Sequence, residues 1–257
     1  AAQMGISFIL LAGGEPLLRK DVLVAASKIK EVAFPVFTNG TVVSEAYLDF
    51  FSKHLNLIPI LSLEGGKEGT DERRGKGVYD KVIQSLEGLK SRKLFYGASL
   101  TVTSDNLDML TSFSYISQLR DLGCKIIFFI EYVPVETHTA YLALDEDGIV
   151  KIENNLENLR SKFDDIVFLS FPSDEKAMGG CLAAGRGFLH ISPDGKAEAC
   201  PFSPYSDRNI AEIGLKEALK SPFFAKLRDT GLVGSEHTGG CTLFQQEEKV
   251  KSLLKAE

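Results

Sequence analysis

The sequence has no run of about 18 apolar residues, so no segment is predicted to cross a membrane as a helix. It has no basic excess either. Lys and Arg number 29 against 35 Asp and Glu, a net charge of −6, which excludes nucleic acid or an anionic membrane surface as the main partner. No basic stretch followed by an apolar run and a small-residue cleavage site opens the chain, so no secretory leader is predicted. The first residues are Ala1-Ala2-Gln3-Met4, without an initiator methionine, and a β-like run begins at Gly5. The expectation is therefore a fragment of a longer protein, or a chain lacking its ordered start. Cysteine is scarce, with four in 257 residues. Without a secretory context this suggests a reducing, cytoplasmic compartment and ligand chemistry more than disulfides. Internal repeats and low-complexity tracts are absent.

What is present is an alternation. Short apolar runs at 5–11, 32–37, 57–63, 95–102 and 125–132 are rich in Ile, Val, Phe and Leu. They read as strands buried on both faces, the pattern of a parallel sheet. Between them lie amphipathic stretches at 20–30, 44–53, 79–91 and 107–122, read as helices. Ser44 and Asp105-Asn106 give two of these sensible starts, and Gly123 closes the last. A further helix (147–163) and strand (166–171) follow. Repeated β-then-α implies parallel strands joined by right-handed crossovers. From Met178 the texture turns Gly- and Cys-rich. Residues 188–192 and 196–200 flank Pro193-Asp194-Gly195 and predict a β-hairpin, with Asp-Gly as its strongest cue. A helix over 215–227 is broken near Ser221-Pro222, and a polar helix over 246–255 ends the chain. The soft boundary near residue 175 divides it into 1–175 and 176–257.

Chemistry in parallel α/β folds sits at the carboxyl ends of strands. Here those ends are Gly13-Gly14-Glu15-Pro16, Thr38-Asn39-Gly40, Ser62-Leu63-Glu64-Gly65, Thr101-Val102-Thr103 and Glu131-Tyr132. A Gly-Gly pair lets backbone approach a ligand without an intervening Cβ. Glu15 is suited to a ligand ammonium, and Arg74 to a carboxylate held bidentately. Together they suit an amino-acid-like ligand. Any one of these pairs alone reads as an ordinary turn; their repetition after successive strands points to a site.

The run Leu11 to Pro16, with Leu17-Leu18-Arg19 after it, resembles the GGEP motif of the radical S-adenosylmethionine superfamily. Thr38-Asn39-Gly40 resembles that family's third-strand end. Ser62-Leu63-Glu64-Gly65 followed by Asp71 and Arg74-Gly75 is similar to its S-x-D-G … D-x-x-R-G run, with Glu64 in place of the usual Asp. Leu100-Thr101-Val102-Thr103 with Asn106 resembles the fifth-strand end. The resemblance covers residues 5–135 in order. It implies S-adenosyl-L-methionine as cofactor. Gly13, Gly14, Glu15 and Pro16 would hold its amino group, and Ser62 and Arg74 would meet its ribose or carboxylate. Glu64 belongs to the same site by position, and Asn39 and Thr101 would lie nearby. It also implies a [4Fe-4S] cluster held by a C-x3-C-x2-C triplet ahead of GGEP. No cysteine precedes Cys124, and twelve residues precede Gly13. The expectation is thus a partial (β/α)6 barrel lacking its first β/α unit, inactive as given although its parent is a radical enzyme. The run from Gly5 to Leu11 would then be an unpaired edge, inviting self-association.

Cys181, thirteen residues to Gly195, then four to Cys200, is similar to the opening of SPASM and Twitch auxiliary-cluster domains, and the later Cys241 fits that pattern. A hairpin can bring Cys181 and Cys200 together while Cys241 returns from a loop. The resemblance implies an auxiliary iron–sulfur cluster on Cys181, Cys200 and Cys241. Its fourth position is left to His237, to an open site or to a residue elsewhere, and zinc on the same thiols is an alternative. Cys124 reads as a small core residue. Glu136 and His138 follow a strand end and read as loop-exposed rather than facing substrate; Tyr132 reads as a hydrogen-atom donor or a cap on the barrel; His190 reads as facing solvent or the cluster side of the hairpin.

The reading is an α/β radical S-adenosylmethionine iron–sulfur oxidoreductase with a small C-terminal hairpin-and-helix domain. A 5′-deoxyadenosyl radical would abstract hydrogen from an unidentified small-molecule or peptidyl substrate. A flavodoxin or ferredoxin would be the reductant. No individual catalytic residue is assigned. The rival readings are a non-catalytic zinc-binding relic barrel and, more weakly, a closed (β/α)8 enzyme.

Overall fold

The apolar runs at 32–37, 57–63, 95–102, 125–132 and 166–171 become five neighbouring strands in the computed structural model, which describes residues 1–234 and 241–255. They are β1 (Phe34–Thr38), β2 (Leu57–Leu63), β3 (Gly97–Val102), β4 (Ile126–Glu131) and β5 (Val167–Phe171). Their spatial order equals their chain order in a parallel sheet. Phe34 opposes Leu57 and Thr38 opposes Leu61; Ile60 opposes Gly97 and Leu63 opposes Leu100. Consecutive residues Ala98, Ser99 and Leu100 of β3 are all buried, so both faces of the strand are covered. That is why these runs read as continuously apolar rather than alternating. Each fully buried Leu or Ile, such as Ile60 or Leu61, contributes about 1.5–3 kcal/mol.

The connecting helices of the first part are α1 (Lys20–Ser27), α2 (Glu45–Lys53), α3 (Lys67–Arg74), α4 (Val78–Ser91), α5 (Leu107–Leu110), α6 (Phe113–Asp121) and α7 (Glu146–Lys162). The helix expected over 107–122 is two. Ser112 starts α6 by accepting a hydrogen bond from the Tyr115 N–H, and a capped start cannot lie inside a continuous helix. The run from Gly5 to Leu11 is not a continuous strand. It meets β1 in parallel at two isolated bridges, Phe8 to Ala33 and Leu11 to Val36, and leaves Phe8 and Leu10 exposed.

The chain divides into two compact units. One comprises Ala1–Ile130 with Val150–Ser170; the other comprises Glu131–Ile149 with Phe171–Glu257. In the second unit, β6 (His190–Ile191) and β7 (Ala197–Glu198) pair antiparallel as the expected hairpin. Gly195 turns it with φ 83° and donates its N–H to the Ser192 carbonyl. Helices α8 (Ile210–Ile213), α9 (Leu215–Ala218), α10 (Pro222–Asp229), α11 (Thr242–Gln245) and α12 (Glu247–Lys255) follow. The break expected near Ser221-Pro222 is present. Ser221 caps α10 by accepting the Phe224 N–H, and Pro222 occupies its first turn. Phe223, Phe224, Leu227, Leu243 and Val250 form the core of this unit, with Ala183, Cys181 and Cys200 among them.

Candidate functional site: strand ends and a thiol group

At the end of β1, three groups fix the Glu15 carboxylate. The Thr38 hydroxyl donates to Oε1 at 2.7 Å, the Leu17 N–H to Oε1 at 3.0 Å, and the Asn39 N–H to Oε2 at 2.8 Å. Asn39 turns its own side chain inward, where Oδ1 accepts from the N–H and hydroxyl of Thr41. Gly13 and Gly14 are exposed, with φ of 88° and 54°. A Cβ at either would meet nothing within 4 Å, so the backbone angle, not space, calls for glycine there. Pro16 is buried behind them. Glu15 has no ion pair among the described residues.

At the end of β2, Glu64 is 3% exposed and faces two guanidiniums. Arg74 donates to Oε1 from Nε at 2.9 Å and again from Nη2; Arg73 donates to Oε2 from Nη1 at 3.2 Å. The Thr101 hydroxyl, from β3, lies 3.4 Å from Oε1. Thr70 on α3 is fully buried; its hydroxyl accepts the Glu64 N–H and donates to the Gly65 carbonyl. Gly65 has φ 112°, which calls for glycine; a Cβ there would meet the flexible end of Met109, which can move aside. Ser62, half-buried on β2, opposes Ser99 in register. Asn106 donates to the Thr101 carbonyl and accepts the Thr103 N–H, fixing the end of β3. The structure thus gathers Glu64, Arg74 and Thr101, and separately Gly13, Gly14, Glu15, Pro16 and Asn39. The two groups sit at the carboxyl ends of neighbouring strands, which are about 4.8 Å apart in any sheet. The β1 end carries one negative charge. The β2 end carries one negative and two positive, a net positive charge.

In the second unit, Cys181 and Cys200 are buried, Cys241 is half-exposed, and all three are free thiols. The Cys200 thiol hydrogen-bonds Cys241, which raises Cys200 and lowers Cys241. Burial pushes the Cys181 thiol up to about 12, with the nearby Glu175 acting the same way. Arg186 braces this region by donating to the carbonyls of Cys181, Gly179 and Val233. The thiols interact with one another, but among the described residues no group of three or more His, Cys, Asp or Glu is arranged to hold a metal ion. The donor chemistry suits a soft metal; the arrangement is not a coordination shell. His237, weighed as a fourth ligand, lies outside the described residues. His190 is paired with Glu198 across the hairpin, Nδ1 to Oε2 at 2.7 Å. Cys124 is fully buried in the first unit, as expected of a core residue. Among the described residues no helix is long and apolar enough to cross a membrane.

No protein-family model matches the chain. It is 23% identical over 254 residues to the AdoMet-dependent heme synthase of Methanosarcina barkeri, covering 89% of this chain and 72% of that protein. It is 27% identical over 216 residues to the mycofactocin maturase MftC of Mycolicibacterium smegmatis, covering 78% of this chain and 54% of that protein. Among solved structures, Streptococcus suis SuiB bound to S-adenosylmethionine superposes with a TM-score of 0.69 at 14% identity, covering 86% of this chain and 56% of that one. Native anSMEcpe with bound AdoMet and the Cp18Cys peptide gives 0.65 at 17%, covering 95% and 82%. SuiB has also been solved with its precursor peptide SuiA. The chain is similar, in sequence and in fold, to radical S-adenosylmethionine enzymes. Its relatives are radical S-adenosylmethionine enzymes, and its five-stranded sheet with surrounding helices is that fold's partial barrel.

The sequence points to the strand ends but not to how their charges are held. Thr38 is named only as part of a strand end, and Thr70 and Arg73 carry no expectation. Arg73 adjoins Arg74, and that adjacency is the available signal. Thr70 sits in α3, which was not foreseen as a helix.

Proposed function

We propose that the first unit binds S-adenosyl-L-methionine across the ends of β1, β2 and β3. The observation carrying this reading is the pair of opposite net charges at neighbouring strand ends. A methionyl group is a zwitterion and needs both. Glu15, oriented by Thr38 and Asn39, would take the ammonium together with the exposed carbonyls of Gly13 and Gly14. Arg74, already held in place by Glu64, would take the carboxylate, with Arg73 making the region positive overall. Ser62 and Thr101 would supply hydroxyls for the ribose. The family's chemistry is reductive cleavage of the bound cofactor by a [4Fe-4S] cluster, giving a radical that abstracts substrate hydrogen. The cysteine triplet for that cluster is not among these 257 residues, so the reaction is proposed for the protein with its cluster in place. A peptide is the proposed substrate class, on the strength of solved neighbours that hold peptides. Cys181, Cys200 and Cys241 are the proposed thiolate ligands of an auxiliary metal site.

Equilibrium dialysis with radiolabelled S-adenosylmethionine tests the cofactor site. Glu15→Gln and Arg74→Met should each weaken binding about tenfold, or about 1.4 kcal/mol. The decarboxylated cofactor should bind wild type weakly and be indifferent to Arg74→Met. Failure of the wild-type chain to bind, or equal binding by all variants, overturns the assignment.

A further inference from the structure

The Glu15 carboxylate is fixed from two directions. Thr38 and Asn39 reach it from the end of β1, and the Leu17 N–H reaches it from the short turn Pro16–Leu18. Oε1 accepts twice, from Thr38 and Leu17; Oε2 accepts once, from Asn39. An ionised carboxylate offers about four acceptor positions, so the position left open among the described residues is on Oε2. Where it points depends on all three donors. Thr38 and Asn39 are held by the sheet. Leu17 sits on a three-residue turn, whose own bonds use the carbonyls of Glu15 and Pro16. The Leu17 carbonyl is taken from outside: the Tyr47 hydroxyl, on α2, donates to it. The buried Leu17 side chain fixes where the turn sits, and the Tyr47 bond fixes how its peptide groups are rotated. Tyr47 is half-buried, with its ring centroid 6.2 Å from that of Phe51, a residue 1% exposed. Burial, and then the Glu15 charge, push the Tyr47 hydroxyl above its ordinary value, so it stays a protonated donor. Leu17 is thus gripped at its carbonyl by Tyr47 while its N–H grips Glu15.

We infer that Tyr47 is a positioning residue for the cofactor's ammonium: by holding Leu17 it keeps the open face of Glu15 Oε2 toward the bound methionyl group. The inference rests on the cofactor site proposed above and adds to it a side chain from α2, an element that was assigned no part in binding. Without the hydroxyl, the Leu17 peptide can rotate, Oε1 keeps Thr38 alone, and the carboxylate gains freedom to turn. Linked hydrogen bonds of this kind strengthen one another, so the loss at one end is felt at the other. The Arg74–Glu64 pair at the end of β2 is not part of this chain of bonds. The loss therefore falls on ligands that carry an amino group. A hydroxyl that only stapled α2 to the turn would weaken every ligand alike, or none.

Equilibrium dialysis with S-adenosylmethionine and with its desamino analogue, which keeps the sulfonium, ribose and carboxylate, tests it. Wild type should prefer the amino form about tenfold, and Tyr47→Phe should cut that preference to about twofold by weakening the amino form alone. Tyr47→4-methylphenylalanine fills the space of the hydroxyl without donating. It should act as Tyr47→Phe does, and it serves if the smaller side chain melts early. Tyr47→4-aminophenylalanine restores a donor and should restore the preference. In a donor-less variant that melts as wild type does, an undiminished preference, or equal weakening of both ligands, overturns the role of Tyr47. Glu15→Gln is measured alongside. If it lowers the preference and Tyr47→Phe does not, the inference fails alone. If wild type shows no preference, or Glu15→Gln leaves it intact, the reading of Glu15 fails and takes the inference with it.

Discussion

Glu64 is a buried carboxylate that accepts from two guanidiniums, twice from Arg74. Breaking one side of a buried ion pair typically costs 3–5 kcal/mol, but Arg74 and Arg73 keep 24% and 42% of their side chains in water. Glu64→Gln should therefore destabilise by about 2 kcal/mol, read by urea denaturation. Glu64→Asp keeps the charge and should cost less. If Glu64→Gln is as stable as wild type, the two arginines do not depend on this carboxylate. Thr38 poses the same question on the other strand end. Its hydroxyl donates to Glu15 and accepts the Gly40 N–H at 3.1 Å, within a residue 1% exposed. Thr38→Val leaves that N–H unpaired and should cost about 1–3 kcal/mol. It should also weaken cofactor binding, because Glu15 loses a fixed orientation; Thr38→Ser should preserve both.

Helix α3 shows how an element can be held without an apolar face. Lys67–Arg74 has one buried residue, Thr70, and no apolar periodicity. Its tie to α4 is polar: the Asp71 carboxylate accepts the Tyr79 N–H at 2.8 Å. That bond, with one from the Gly77 N–H, holds the Asp71 carboxyl below its ordinary value of 3.8. A depressed carboxyl stabilises the fold above its unfolded pKa and loses that contribution as pH falls through the folded one. Stability should therefore decline on acidification below about pH 4, and Asp71→Asn should flatten that decline. An unchanged acid profile in the variant would show that the Asp71 bonds do not hold α3, leaving Thr70 and the Arg73 and Arg74 pairs with Glu64. The same feature explains what was legible beforehand. The strand at 57–63 was read with its bounds because both faces are buried and every position but Pro59 and Ser62 is Leu or Ile. Helix α3 was invisible because periodicity reports packing, and this helix is tied down by hydrogen bonds. The run from Gly5 to Leu11 read as a full strand for the opposite reason. Its apolarity is real, but only two bridges to β1 form, and Phe8 and Leu10 stay exposed. At the site, residue types pointed to the strand ends; the Arg74–Glu64 pairing did not follow from spacing, because residues ten apart meet only once a turn and a helix are placed between them.

For the whole molecule, the cofactor assignment and the thiol assignment fall in different units and make separable demands. The first unit needs oppositely charged strand ends. The second needs three thiols that already influence one another: Cys200 bonded to Cys241, and Cys181 within electrostatic reach of both. Anaerobic loading followed by metal analysis should find iron, or zinc if the thiols serve a structural site, and Cys200→Ser should lose most of it. Cys124→Ala is the control. Its thiol is fully buried in the first unit, where burial pushes it up to about 12, and its removal should leave metal content unchanged. S-adenosylmethionine binding should survive Cys200→Ser, just as metal content should survive Glu15→Gln. Loss of cofactor binding with the thiol, in a variant that still melts as wild type does, would mean that the strand-end charges alone are insufficient. Full metal retention in Cys200→Ser would instead remove the thiol group from the reading and leave the opposed charges at β1 and β2 to stand by themselves.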